Sequence, residues 1–204
     1  MQNNLEQRLV LFERNYLQNI NMQDNFATET MLQNYLIECS DNKEEVQNII
    51  KQVLLILNYS YFEQNTDDTE IIKKLPVSFV SKFKAKLNEN EQKEYEIKRE
   101  KSRKHWLGRM LYDRNELKQY KKEIQKYGYI NYDLENWLYW INQRTWFLGK
   151  FIDKTENQFI ATFNVLDDFL ANPFKLLFIH SGAKSVKPLD KNMNVLENDN
   201  FDVW

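Results

Sequence analysis

"ENEQKEYEIKREKSRKHWLGRMLYDRNELKQYKKEIQKY", residues 89–127, contains one glycine, Gly108, and no proline. Because glycine and proline end most helices, this stretch predicts one long helix that closes at Gly128. Its second half repeats apolar side chains at steps of three, four or seven residues, which indicates a face that packs on a neighbour. We expect the neighbour to be a helix over residues 133–151, with Trp137 in the core between them.

The segments on either side of this stretch also have helical spacing of their apolar residues. The predicted helices are residues 4–20, residues 29–38, a long helix after Asp41, a helix from Pro76, and residues 156–170. A short turn is predicted at residues 66–69. Asp41 and Glu44 have the spacing of an N-terminal capping pair. Residues 174–180 suit either a helix or a strand, and the chain from Ser181 onward lacks helical periodicity.

The composition favours the same fold class. The 204 residues are 42% hydrophobic and include only 4 Gly and 3 Pro, too few turn residues for a many-stranded sheet. The sequence therefore predicts an all-α protein, a multi-helix bundle with one long charged central helix and an irregular C-terminal tail. The expected domain is residues 1–180, divisible into a front half, 1–88, and a back half, 89–180, followed by an acidic and aromatic tail, 181–204.

The net charge of −2 is distributed unevenly along the chain. Residues 1–70 carry a net charge of −8, residues 71–126 a net charge of +9, and residues 127–204 a net charge of −3. A basic middle third indicates either a polyanionic partner or a helix that faces acidic parts of its own chain.

The candidate binding residues are cations of this middle third, together with Arg144, which lies one turn from Trp140. They are Lys98, Arg99, Lys101, Arg103, Lys104, Arg109, Arg114 and Arg144. Such cations between residues 93 and 126 are numerous enough to neutralise several phosphates of RNA or DNA. Acidic residues are interleaved among them, as on any solvated helix. Arg144 either stacks on an indole or binds an acidic group of a partner.

Arg99 and His105 are separated by a spacing that resembles the ribonuclease motif of the HEPN superfamily. The resemblance covers this motif alone. It implies a small all-helical domain that dimerises so that the Arg and His meet at an RNA-cleaving pocket. The other interpretation is a basic helix face exposed to water, with His105 beside a buried Trp106.

The sequence does not match the other enzyme or metal-site patterns. Neither a phosphate-binding glycine loop nor a set of paired metal ligands is visible, so no cofactor and no metal is expected. The single cysteine, Cys39, cannot form an intramolecular disulfide, so nothing indicates an oxidising compartment, and the sequence shows no membrane-spanning run; by default we expect a cytoplasmic protein. The tail with Phe201, Asp202 and Trp204 is expected to fold back on the basic helix; the alternative is an acidic, aromatic motif that docks on a partner.

These observations favour a non-enzymatic protein that binds another macromolecule through a protein–protein interface, as an inhibitor, immunity or adaptor protein. The composition, rich in Asn and Gln, resembles that of small accessory proteins of toxin immunity and phage–host conflict. The alternatives are nucleic-acid binding through residues 93–126 and an RNA-cleaving, HEPN-like activity of Arg99 and His105.

Overall fold

A computed structural model describes residues 2–20, 26, 29–40, 42–63, 67–85, 88–103, 106–127, 129–167 and 171–196. The helices are α1 (Gln2–Leu17), α2 (Lys43–Glu63), α3 (Asp68–Lys74), α4 (Val77–Val80), α5 (Glu89–Arg103), α6 (Trp106–Tyr127), α7 (Leu134–Ile141) and α8 (Ala171–His180). The strands are β1 (Met31–Cys39), β2 (Trp146–Thr155), β3 (Gln158–Val165) and β4 (Ala183–Leu189).

The expected all-α helical bundle is wrong, because the four strands form one antiparallel sheet in the order β2-β3-β1-β4. β1 replaces the helix predicted at 29–38, β2 takes the second half of the helix predicted at 133–151, and β3 replaces the helix predicted at 156–170. β4 lies in the segment predicted as an irregular tail. The protein is therefore a mixed helix and sheet fold.

The central strands explain the error. Tyr35, Leu36 and Ile37 are consecutive and all buried, and in β3 every residue from Phe159 to Val165 is buried. Strands buried on both faces lose the alternation of apolar and polar residues that identifies a strand in a sequence. The apolar residues of β1 at positions 31, 32, 35 and 36 moreover have the spacing of a helix face.

The aromatic part of the core fills the face of the sheet on which Phe163 lies, and a smaller apolar cluster of Leu36, Ile160 and Leu189 lies on the other face. The ring of Phe174, from α8, lies 4.9 Å from Phe163, 4.8 Å from Tyr35 and 5.0 Å from Trp146, measured between ring centroids. α1 packs against both α2 and β2. Aromatic rings in such edge-to-face arrangements add to the stability from buried area.

Several local predictions match the structure. The opening helix is α1. Within the segment predicted as a short turn, a helix begins instead: Asp67 caps α3 by accepting the Thr69 N–H at 3.0 Å. Residues 174–180 belong to a helix, α8. The start of α2 differs in detail: the side-chain oxygen of Asn42 accepts the Glu45 N–H at 3.1 Å, and Asp41 lies outside the described residues.

The chain divides into two compact units, residues 1–82 with 135–204, and residues 83–134. In the second unit, α5 and α6 replace the single helix predicted over 89–127. Two contacts hold the two ends of this segment together. The Lys84 N–H donates to the Tyr132 carbonyl at 3.2 Å, and the Lys84 ammonium pairs with Glu123 at 2.7 Å. A straight helix of 39 residues would be about 58 Å long and would keep these contacting residues apart. α5 and α6 therefore fold back on each other.

Candidate functional site

A groove of about 700 Å³ opens beside the first residues of β1. Its lining residues are Met31, Leu32, Gln33, Asn34, Leu189, Asp190 and Lys191. The groove exists because the two neighbouring strands differ in length. β1 pairs with β3 along its whole length to Met31, but its pairing with β4 ends at Asn34 and Leu189. Three residues of a central strand thus have a neighbour on one side only.

The direction of the backbone groups in this stretch follows from Pro188. Proline has no N–H, and the carbonyl of Pro188 accepts the Leu196 N–H at 3.0 Å, so Pro188 faces away from β1. Because backbone direction alternates along antiparallel strands, Leu189 and its partner Asn34 face each other. Leu32, two residues before Asn34, presents its N–H and C=O to the groove, and none of the described residues pairs with it there.

The side chains around this open edge are apolar and accessible. Met31 and Leu32 are each 52% exposed, and the buried Leu189 forms the opposite wall. An apolar strand edge in contact with water is a site where another chain can pair, and natural proteins usually cover or charge such edges. No described residue pairs with the edge at Leu32.

A rigid turn after β4 supplies the polar rim. The Asp190 carboxylate accepts the N–H groups of Asn192 and Asn194 at 2.8 Å, and the Asp190 N–H donates to the Asn194 carbonyl at 2.9 Å. These bonds, the one from Asn194 foremost, lower the pKa of Asp190. Because the carboxylate is used inside the turn, the exposed ammonium of Lys191 is the charge that the rim offers to a ligand.

The other edge of the sheet, along β2, is closed by α1. The Leu148 N–H donates to the Glu13 carboxylate and the Phe151 N–H to the Tyr16 hydroxyl, both at 2.7 Å. A bulge between Leu148 and Lys150 sets the spacing of these two outward N–H groups. Burial raises the pKa of the Tyr16 hydroxyl. Side chains of α1 thus take the place of a fifth strand along β2.

Arg144, one of the predicted binding residues, belongs to this closure. Its Nη2 lies 2.5 Å from Oε1 of Glu13, and their side chains are 1% and 0% exposed. Asn58 donates to the other Glu13 oxygen at 2.8 Å. The guanidinium stacks over the ring of Trp146, 4.6 Å from its centroid. The structure therefore gives Arg144 the structural role, on Trp146 rather than on Trp140.

The structure describes the other predicted site residues less completely than Arg144. Arg114 is exposed on α6. Lys98, Arg99, Lys101, Arg103 and Arg109 belong to α5 and α6, but their side chains are not among those described. Lys104, His105 and the tail residues Phe201, Asp202 and Trp204 lie outside the described residues. The ribonuclease pocket and the tail motif accordingly stay predictions.

The second histidine, His180, lies in the interior at the end of α8. It is 2% exposed, its ring contacts Phe79, and burial together with the charge of Lys82 lowers its pKa to about 4. His180 is therefore a neutral core residue at pH 7. Within the described residues, no three His, Cys, Asp or Glu side chains come together as a metal site would require.

Comparisons with protein-family models, curated proteins and solved structures find no match to this chain. Among the described segments, none of the helices has the length and apolar character needed to cross a membrane.

Proposed function

We propose that this chain is a non-enzymatic protein that binds another protein, as an inhibitor, immunity or adaptor protein, and that the groove beside β1 receives an extended segment of the partner. The observation that carries the proposal is the backbone of Leu32, whose N–H and C=O face the groove without a partner among the described residues. An extended chain is the ligand whose own backbone satisfies both groups.

The residues that line the groove indicate which kind of partner segment fits it. Met31, Leu32 and Leu189 offer an apolar surface to a side chain such as Leu, Val or Phe. Lys191 favours an acidic residue next to it. The backbone bonds would supply affinity and the side chains selectivity, as in other cases of strand addition. Such an interface has an apolar centre, so its affinity depends little on salt.

We expect Leu32→Lys to weaken partner binding at least about tenfold, which corresponds to about 1.4 kcal/mol. A lysine there replaces the apolar surface and adds a charge beside Lys191. Leu11→Lys is the matched control, because Leu11 is a 47% exposed leucine on α1, away from the groove. The partner is first captured from the cells that make the protein, and its dissociation constant is then measured by calorimetry.

A second variant tests the backbone hydrogen bond at Leu32 directly. Leu32→Pro removes the N–H that faces the groove and leaves the hydrogen bonds between β1 and β3 intact, because Leu32 does not bond to β3. It should also weaken binding. If the partner binds Leu32→Lys and Leu32→Pro as tightly as the parent, the groove is not the interface.

Nucleic-acid binding is the second candidate, supported by the division of charge between the two units. Residues 83–134 contain fourteen Lys and Arg against nine Asp and Glu, a net charge of +5, whereas the remaining residues carry a net charge of −7. Exposed cations of this unit include Lys93, Arg114, Lys118, Lys121 and Lys122. A basic unit separate from an acidic one is typical of proteins that contact phosphates.

This candidate predicts a steep salt dependence. Binding of RNA or DNA through these cations should weaken at least about tenfold between 50 and 200 mM salt, because the bound phosphates release counterions. The triple variant Lys118→Glu, Lys121→Glu and Lys122→Glu should abolish it. Fluorescence anisotropy with labelled oligonucleotides measures both effects. Absence of binding at 50 mM salt would exclude this candidate.

A further inference from the structure

The polar side chains that line the groove beside β1 have their acceptor atoms already in use. The Gln33 Oε1 accepts the Tyr35 hydroxyl at 2.7 Å, and the Asn34 Oδ1 accepts the Thr162 hydroxyl at 2.8 Å. Both carboxylate oxygens of Asp190 accept N–H groups of its own turn. An incoming donor therefore meets side-chain acceptors that each have a hydrogen bond already.

The donors of the same lining are free. Within the described part of the chain, nothing accepts a hydrogen bond from the side-chain amides of Gln33 and Asn34 or from the exposed ammonium of Lys191. Three donors, one of them charged, thus line a groove whose other walls are apolar. A carboxylate suits such a set, because it is charged and its two oxygens accept several hydrogen bonds.

The end of β4 closes the groove on one side. β4 and the groove lie on the same side of β1, and β4 occupies that side from Asn34 onward. About 10 Å of β1, residues 31–33, is left for a partner at about 3.3 Å per residue. An internal segment of a partner would have to turn away at Asn34, whereas a chain terminus can end there.

We infer that the groove takes the carboxyl-terminal end of the partner protein, paired in parallel with residues 31–33 so that its terminal carboxylate lies beside Lys191. This inference rests on the proposed function and specifies its ligand. A strand parallel to β1 reaches the turn at Asp190 and Lys191 with its carboxyl end. The opposite direction would bring an amino terminus, a second cation, next to the Lys191 ammonium.

The groove then satisfies each part of such a terminus. The carboxylate accepts from the Lys191 ammonium and from the amides of Gln33 and Asn34. The backbone before it pairs with Leu32, and an apolar side chain packs between Met31 and the walls of the groove. Capture of a chain terminus by aligned donors is a recurring mode of peptide recognition.

Peptides with and without a terminal charge test the inference. The 204-residue chain selects ligands from a library of random heptapeptides displayed with free carboxyl termini. A selected peptide is synthesised as the free acid and as the carboxyl-terminal amide, and fluorescence anisotropy measures both dissociation constants. We expect the acid to bind at least about tenfold more tightly, the usual size of one charge-assisted hydrogen bond. Lys191→Gln should remove this difference, and Lys184→Gln, at an exposed lysine near the other end of β4, should keep it.

The results separate this inference from the proposed function. If acid and amide bind equally and Leu32→Lys weakens both, the groove accepts a strand without recognising its terminus, and the inference is wrong. If no selected peptide depends on Leu32, both are wrong. A dimer in sedimentation equilibrium that Leu32→Lys dissociates would also overturn the inference, because a second copy of the chain would then fill the groove.

Discussion

Glu13→Ala is expected to lower the free energy of unfolding by about 3–5 kcal/mol, the usual cost of removing one member of a buried ion pair. The variant would leave the Arg144 charge in a site where its side chain is 1% exposed. It would also take the acceptor away from the Leu148 N–H and from the Asn58 amide. Urea unfolding followed by circular dichroism measures the loss.

Two further variants show whether the ion pair is the cause. Glu13→Leu combined with Arg144→Met should destabilise less than Glu13→Ala, because it leaves no unpaired buried charge. Glu70→Ala, which removes the partner of Lys73 in an exposed pair, should change stability by less than about 1 kcal/mol. A loss below 1 kcal/mol for Glu13→Ala would mean that Arg144 reaches water, contrary to the structure.

Trp137→Ala is expected to cost about 3–5 kcal/mol as well, because it empties the volume of a large ring in the core. Trp137 is 0% exposed, its ring lies 5.2 Å from that of Phe79, and its Nε1 donates to the Pro173 carbonyl at 2.9 Å. The variant leaves that carbonyl without its donor. The unfolding free energy and the melting temperature should both fall markedly.

Trp140→Ala is the control on the same helix, since Trp140 is 37% exposed and packs edge-to-face on Tyr139 at the surface. Its removal should cost about 1 kcal/mol or less. Trp137→Phe keeps most of the ring volume but loses the hydrogen bond, so its cost should lie between those of the two alanine variants. If Trp137→Ala and Trp140→Ala melt alike, α7 is not packed as described.

The helices of the first unit were largely predictable, because their signals are local. α1 and α2 both have apolar residues at helical spacing. α3 was predicted only as a short turn. The sheet was not predictable in this way. β1 is stabilised by partners more than 120 residues away, such as Phe159 opposite Ile37, and pairing over that distance leaves no periodic pattern in the strand itself.

The candidate site was missed for a related reason. The backbone of Leu32 lacks a neighbour on one side because β4 ends at Leu189. Neither the sequence around Leu32 nor that of β4 reveals this by itself. Pro188 was the one available signal, since a proline near the end of a strand marks an edge. Arg144 was noticed, but its role depends on Glu13, 131 positions earlier in the chain.

The order of the strands has a consequence for synthesis of the protein. β1 is the second strand from one edge, yet its neighbours are β3 and β4, which the ribosome makes more than 110 residues later. During translation the apolar segment Tyr35–Ile37 therefore stays unpaired until β3 and β4 have been made, whereas α1 and α2 can already associate. Topologies with such distant contacts fold slowly and expose unpaired strands to aggregation. The nascent chain is thus most vulnerable between the emergence of β1 and that of β3.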